Sequence, residues 1–180
     1  MSGTDVADEL LVAIQGPTAL VRVRGRGSFK TAPALRDFGK AAVDKGCERL
    51  IMDMDECIGM DSTFMGIMAG LGMQLKCEND GVLVVMNLSQ KTLALLETLG
   101  LDKILQMHVA GTLPDTLKQH LSSVVDLSKM DHGGRDKRIT LETMLSAHED
   151  LVSLSGDNLP KFRDVMSYLS KELSQLKGGS

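Results

Sequence analysis

The 180-residue sequence contains no tryptophan, one tyrosine, four prolines and three cysteines. Cys47, Cys57 and Cys77 are an odd number, have no C-x-x-C spacing and lie within apolar segments. This pattern is typical of reduced core thiols and argues against a disulfide framework or a zinc site. We therefore expect the chain to fold without a metal, a cofactor or a disulfide.

Long apolar runs and clustered positive charges are also lacking. No segment reaches the roughly 18 apolar residues that a membrane-spanning helix needs, and residues 1–9 lack the basic and apolar regions of a signal peptide. The formal net charge is −4 without a long basic tract, which argues against nucleic acid or a membrane surface as the partner. The expectation is a cytoplasmic protein that binds another protein.

What the sequence does contain is an alternation of strand and helix patterns up to about residue 127. The order favours an α/β fold with a mixed, mostly parallel sheet covered by helices. The Gly16-Pro17 pair between the first two strands predicts a β-hairpin. The predicted strands are 10–14, 20–23, 49–54, 82–86 and 104–109, and the predicted helices are 31–46, 62–76, 89–99 and 113–125.

The C-terminal part has a different pattern. Residues 129–138 are almost entirely charged or glycine, which is typical of a linker. Two apolar stripes at helical spacing follow, at 141–152 and 159–176, and predict an α-helical hairpin. We therefore divide the chain into an α/β domain (1–128), a linker (129–138) and a C-terminal helical extension (139–180). The extension is expected to dock on the domain or to form a homodimer.

Residues 53–66 carry the strongest functional signal. A strand ends there, acidic residues follow, and Asp61-Ser62-Thr63 opens the next helix. A helix N-terminus has free N–H groups and a partial positive charge that tolerate a phosphate, and it lies on the rim where α/β domains bind ligands and partners. We interpret Ser62 as a phosphorylation site, with Thr63 as a lesser candidate. Asp61 or Ser62 could also serve as an ordinary helix cap, and the two roles are compatible.

The helix predicted after Ser62 is rich in glycine. Gly66, Gly70 and Gly72 each cost about 1 kcal/mol relative to alanine in a helix interior. Gly66 and Gly70 lie on one face of this helix. Their spacing predicts that a sheet or a partner approaches this face closely.

These features resemble the STAS domain, the fold of bacterial anti-sigma factor antagonists and of the cytoplasmic tails of sulphate transporters. The resemblance covers about residues 10–127, and its motif is Asp61-Ser62-Thr63, which is similar to the family's Asp-Ser-Ser/Thr-Gly-Leu-Gly signature. It implies that Ser62 accepts phosphate from a serine kinase that is also the anti-sigma factor. The unphosphorylated protein would bind this partner and free a sigma factor, and a phosphatase would reset the switch.

Two segments depart from the family pattern. Phe64 and Met65 stand where the family has Gly and Leu, so the surface beside Ser62 is expected to be bulkier, whereas Gly66 keeps its place. The segment 25–30 is basic where antagonists often carry an acidic residue, and we expect it to neighbour Ser62. The predicted partner-binding residues are Asp61, Ser62, Thr63, Phe64, Met65, Ser28, Phe29 and Lys30.

Enzyme motifs have little support. Ser62 lacks the flanking glycines of a nucleophile elbow, residues 25–27 lack the third glycine of a dinucleotide fingerprint, and no P-loop occurs. His108, His120, His132 and His148 are dispersed and are interpreted as surface or partly packed residues.

Three functions therefore remain. The leading hypothesis is a non-enzymatic anti-sigma factor antagonist. The alternative is a constitutive adaptor subunit of a signalling or transporter assembly, in which Ser62 is only a cap. A small hydrolase that holds a cation at Asp53, Asp55 and Glu56 comes last, because acids at strand ends are more often solvated or capping.

Overall fold

The computed structural model describes residues 6–122 and 126–179. Within them the strands are β1 (Glu9–Gln15), β2 (Thr18–Gly27), β3 (Arg49–Asp53), β4 (Cys57–Met60), β5 (Val82–Leu88), β6 (Leu105–Val109) and β7 (Ser128–Lys129). The α-helices are α1 (Ala32–Asp44), α2 (Ser62–Asn79), α3 (Gln90–Thr98), α4 (Asp115–Ser122), α5 (Lys137–Leu154) and α6 (Leu159–Gly178). The last residues of the predicted helix 113–125 and the first five residues of the acidic N-terminal segment lie outside the described residues.

The strands form one mixed sheet in the order β6-β5-β3-β2-β1-β7, with β4 paired to the end of β2. Strands β2, β3, β5 and β6 run parallel, whereas β1 is antiparallel to β2 and β7 is antiparallel to β1. Gln15 pairs with Thr18 across the turn, where Gly16 adopts a positive φ of 56°. The predicted α/β class, the mostly parallel sheet and the β-hairpin are confirmed.

Helices cover both faces of the sheet. Alternate strand residues such as Met52 and Val85 pack with α1, α2, α3 and α5, whereas their neighbours Ile51 and Val84 pack with Leu117 of α4. Successive side chains of a strand point to opposite faces, so a doubly covered strand must be apolar throughout. This explains the continuous apolar runs at residues 50–52 of β3 and 82–86 of β5.

Strand β4 was not predicted, since residues 57–60 were interpreted as part of an acidic loop. It exists because β2 continues to Gly27, well beyond the predicted end at residue 23. Its neighbour β3 ends at Asp53, paired with Arg22, so the last residues of β2 have a free edge. Strand β4 pairs with that edge in parallel, with Gly27 opposite Met60.

The charged segment after residue 128 is tied to the domain. Strand β7 pairs with β1, the Nε2 atom of His132 is 2.7 Å from the carbonyl oxygen of Asp8, and Arg135 forms a 2.7 Å ion pair with Asp37 of α1. Residues 129–138 therefore follow the surface of the sheet and of α1. The division into domain, linker and extension stays a prediction.

The predicted C-terminal hairpin is confirmed as α5 and α6, which are joined by a short 3-10 turn at residues 156–158. Helix α5 packs against α2 and α1, and α6 packs against α5. Asn158 in the turn donates hydrogen bonds from Nδ2 to the carbonyl oxygens of Leu99 and Leu151. No helix among the described residues has both the length and the apolar character that crossing a membrane requires.

Candidate functional site

Asp61 connects the start of α2 to the loop between β2 and α1. It is the N-cap of α2, and its Oδ1 atom accepts a hydrogen bond of 2.9 Å from the N–H of Phe64. Its Oδ2 atom accepts another of 2.8 Å from the N–H of Phe29, and its own N–H donates to the carbonyl oxygen of Gly27. The basic loop therefore lies beside the start of α2, as expected, and Asp61 has the capping role that its position predicts.

The side chains that follow Ser62 point into the protein. Thr63, Phe64 and Met65 are all less than 5% exposed. The ring of Phe64 lies against Gly27, where an added Cβ would be 2.6 Å from a ring carbon. The expectation that Phe64 and Met65 make the surface beside Ser62 bulkier is wrong, because the first turn of α2 faces the core. That these three residues contact a partner stays a prediction.

The remaining predicted binding residues lie on a shared surface. Ser28, Phe29 and Lys30 line a cavity of about 280 Å³ together with Asp61. Phe29 is 40% exposed, although it is a large apolar side chain, and Lys30 is also exposed. The structure therefore brings acidic, basic and apolar side chains together beside the start of α2.

Ser62 is the first residue of α2, and its half-buried side chain contacts the C-terminal hairpin. Its Oγ atom lies 2.8 Å from Nε2 of His148 in α5. The other ring nitrogen, Nδ1, lies 2.6 Å from the carbonyl oxygen of Met144. A carbonyl oxygen can only accept, so Nδ1 carries a proton. In the uncharged form of the ring, Nε2 is then the acceptor for the hydroxyl proton of Ser62.

His148 is 2% exposed, so the expectation of a surface or partly packed histidine is wrong for this residue. Its ring meets the ring of Phe162 of α6 edge-on, with centroids 5.0 Å apart. The signal for burial was present in the sequence, because position 148 falls on the apolar stripe of α5. Nothing in the sequence pairs it with Ser62, which is 86 residues away.

The predicted close approach at Gly66 and Gly70 is confirmed, and the approaching element is α5. A Cβ added at Gly66 would be 2.2 Å from the carbonyl oxygen of Ala147, and one at Gly70 would be 2.3 Å from Oδ2 of Asp150. Only glycine allows two helices to pack with backbone this close to backbone. Gly66 therefore permits the close backbone contact with α5, and Gly70 leaves room for the side chain of Asp150 one turn later.

Asp150 is a half-buried acid at this helix contact. Its pKa is raised from 3.8 to about 6, mainly by burial and also by the neighbouring Glu149, while Lys40 of α1 partly opposes both. Asp150 lines a cavity of about 180 Å³ between α1, α2 and α5, together with Arg36, Lys40 and Gln74. The ionised form of Asp150 therefore weakens the docking of α5 near neutral pH.

We expect Asp150→Asn to stabilise the protein at pH 8 and to have little effect at pH 4.5. The folded-state pKa is raised, so the stability that the protonated acid supplies is complete below about pH 4 and is lost as pH rises through 6. Asparagine keeps the neutral form at every pH. A shift of this size corresponds to about 3 kcal/mol, which solvent screening of a half-exposed group reduces to about 1 kcal/mol. Urea unfolding at pH 4.5 and pH 8 measures this change in the free energy of unfolding.

The exposed Asp164 of α6 provides the matched control for this experiment. Asp164→Asn makes the same chemical change outside the helix contact, so its effect on the free energy of unfolding should stay within about 0.5 kcal/mol at either pH. An Asp150→Asn protein that gains as much stability at pH 4.5 as at pH 8 would contradict the assigned cause.

Two of the three acids proposed as a cation site, Asp53 and Glu56, already have side-chain partners in the protein. Asp53 is 5% exposed, accepts a hydrogen bond of 3.1 Å from Nε of Arg22 and another of 2.8 Å from Nδ2 of Asn87. Glu56 forms an ion pair with Arg24. Among the residues that the structure describes, His, Cys, Asp and Glu side chains nowhere gather in a group of three or more that could hold a metal ion.

A family model described as "Mlab, STAS domain" matches residues 10–108, which is more than half of the chain. The chain belongs to the STAS domain family. The resemblance seen in the sequence is therefore confirmed, and the family model ends before the C-terminal hairpin begins.

Solved structures with this STAS fold include anti-sigma factor antagonists. One from Mycobacterium paratuberculosis is 27% identical with a TM-score of 0.52, covering 66% of this chain and 97% of that chain. The antagonist SpoIIAA in its unphosphorylated form is 15% identical with a TM-score of 0.51, covering 64% and 99%. The Bacillus cell fate determinant SpoIIAA in the phosphorylated form is 18% identical with a TM-score of 0.50, covering 62% and 98%. The two SpoIIAA structures support the fold alone.

Proposed function

We propose that this protein is an anti-sigma factor antagonist, a non-enzymatic cytoplasmic binding module that is controlled by phosphorylation of Ser62. The observation that carries the proposal is the position of Ser62 as the first residue of α2, directly after the N-cap Asp61. This is the place where the family signature has its serine. The similarity to the Mycobacterium paratuberculosis antagonist supports the same class.

A phosphate at Ser62 would change the binding surface strongly. It adds a charge of about −1.5 to −2 at pH 7, beside a carboxylate that is already present at Asp61. The N-terminus of a helix stabilises negative charge, so α2 itself tolerates the group. SpoIIAA structures are known for an unphosphorylated and a phosphorylated form. A fold of this type is therefore compatible with phosphorylation.

The partner of the unphosphorylated form is an anti-sigma factor that is also a serine kinase, and a phosphatase removes the phosphate. Phe29 and Lys30 are exposed next to Asp61 and offer an apolar and a basic contact to this partner. A lysine there would attract an acidic partner surface. A homodimer through the C-terminal helices is not needed for this function.

Ser62→Asp is expected to weaken binding of the anti-sigma factor at least about tenfold, equivalent to about 1.4 kcal/mol, because it places a permanent charge beside Asp61. Ser62→Ala should keep binding within about threefold. Calorimetry with purified candidate kinases measures the binding affinity of both variants, and Thr63→Ser is the control at the buried neighbour.

Phosphate occupancy in cells is measured by mass spectrometry on the tryptic peptide of residues 50–76, from cells in growth and under stress. Condition-dependent occupancy at Ser62 supports the proposal.

The hydrogen bond between Ser62 and His148 favours one second candidate, a constitutive adaptor in which the serine holds the C-terminal hairpin in place. In that case Ser62→Asp and Ser62→Ala have similar effects on partner binding. Persistent absence of phosphate at Ser62 in every condition would favour this adaptor over the switch.

A further inference from the structure

The C-terminal hairpin, α5 and α6 (residues 137–178), lies over the start of α2 in one defined position. Gly66 and Gly70 bring α2 into contact with the backbone of Ala147 and with Asp150. Ser62 precedes Gly66 by four residues and therefore lies one turn earlier on the same face of α2. This placement brings His148, the residue after Ala147, over the hydroxyl group of Ser62.

His148 has no room to turn away while the hairpin stays docked. The ring is 2% exposed, Nδ1 is bound to the carbonyl oxygen of Met144, and the edge-on contact with Phe162 belongs to α6. Rotation of the ring would break both contacts. The group that faces Ser62 is therefore held by both helices of the hairpin.

A phosphate on Ser62 cannot keep this contact. Phosphorylation replaces the hydroxyl hydrogen, which Nε2 of His148 accepts, with a phosphorus atom bearing three further oxygens. Within the docked hairpin, the 2.8 Å between Oγ and Nε2 leaves no space for that group. If the phosphate instead turned to solvent, Nε2 would remain buried without a partner, which is unfavourable.

We propose that the C-terminal hairpin is a built-in cover over Ser62, and that phosphorylation of Ser62 and docking of the hairpin exclude each other. This inference rests on the proposed function, since it concerns the same serine. The coupling is reciprocal: if the phosphate lowers the equilibrium constant for docking of the hairpin, then docking makes phosphorylation of Ser62 less favourable by the same factor. Loss of one buried hydrogen-bond partner corresponds to a factor of about 5 to 150 in the docking equilibrium.

Hydrogen exchange on the full chain tests the cover. Phosphoserine is incorporated at position 62 during synthesis, so the experiment needs no kinase. Amides of residues 141–151 in α5 are expected to exchange at least about fivefold faster than in the unmodified protein, while those of β3 and β5 stay unchanged. Unchanged or slower exchange in α5 would overturn the proposal, because His148 would then tolerate or bind the phosphate. Loss of protection in β3 and β5 as well would also overturn it.

Variants of His148 in the unmodified chain provide an independent measurement. His148→Ala removes the acceptor and should speed exchange in α5, whereas His148→Gln keeps an acceptor near the Nε2 position and should restore part of the protection. Combined with phosphoserine at position 62, His148→Ala should add less than its separate effect, since both changes remove the same contact. Full additivity would contradict the proposal. Tyr168→Ala, at a side chain of α6 that is 61% exposed, is the control and should leave exchange in α5 unchanged.

The experiments can reject the proposed cover and the proposed phosphorylation switch independently of each other. Faster exchange in α5 with phosphoserine, together with no phosphate in cells, would establish the exclusion and reject the natural switch. Regulated occupancy in cells together with a hairpin that stays protected would keep the switch and reject the cover.

Discussion

Gly66→Ala is expected to displace α5 from α2 and to lower the free energy of unfolding by about 3 kcal/mol, the upper end of the usual cost of overpacking. The added Cβ would lie 2.2 Å from the carbonyl oxygen of Ala147, and this neighbour is backbone that cannot rotate away. The intrinsic gain of alanine over glycine in a helix, about 1 kcal/mol, is too small to offset the clash. Urea unfolding measures the loss, and limited proteolysis shows whether α5 and α6 become accessible.

Two glycines of the same chain serve as controls. Gly178 of α6 has nothing within 4 Å of an added Cβ, so Gly178→Ala makes the same change without a clash and should be neutral or slightly stabilising. Gly70→Ala should lie between the two, because its neighbour is the end of the flexible Asp150 side chain. A Gly66→Ala protein as stable as wild type would show that α5 is not packed on α2 as described.

The regular part of the fold could be predicted because local pattern and tertiary role agree there. The strands predicted at 49–54 and 82–86 are the central strands β3 and β5, and Gly16-Pro17 forms the turn between β1 and β2. Strand β4 had no such signal, since residues 57–60 contain a glycine and form only four residues of strand. It depends on the free edge that β2 leaves beyond the end of β3, which is a tertiary property.

The candidate site divides in the same way. Asp61 and Ser62 could be placed at a helix start because capping is local in sequence. The inward orientation of the Phe64 side chain could not be predicted, because it depends on the space beside Gly27 at the end of β2. The contact of His148 with Ser62 joins elements that lie in two different parts of the chain, and no spacing rule connects them.

Two sequence signals nevertheless pointed to the docking of the hairpin. The apolar stripe of 141–152 required a surface to cover, and Gly66 and Gly70 required a close neighbour for α2. Each pattern alone left several partners open, including a second copy of the chain. In the structure the apolar stripe of α5 packs against the glycine face of α2. In sequences of this type, an amphipathic helix with no assigned partner and a helix with glycines on one face are therefore candidates to pack against each other.

Phe64→Ala is expected to lower the free energy of unfolding by about 3 to 5 kcal/mol, the usual range for a fully buried phenylalanine. Phe64 is 0% exposed, and its ring fills the space above Gly27 at the end of β2. Its N–H is also the group that Asp61 caps, so a cavity here should loosen the first turn of α2 next to Ser62. Urea unfolding gives the loss, and hydrogen exchange of residues 27–31 reports on the neighbouring loop. Phe29→Ala is the matched control, because this ring is 40% exposed and should cost less than about 1 kcal/mol.

A double-mutant cycle with Gly27 separates the packing of this ring from a general effect of the cavity. Gly27→Ala alone places a Cβ 2.6 Å from the ring and should be strongly destabilising. In the Phe64→Ala background the ring is absent, so the same Gly27→Ala change should cost little and partly refill the cavity. A coupling energy of about 1 to 3 kcal/mol is expected, and additive costs would contradict the contact. Confirmed coupling would mean that Phe64, which stands where the family has glycine, packs against Gly27 inside the protein. The surface beside Ser62 is then formed by Asp61, the basic loop and the C-terminal hairpin.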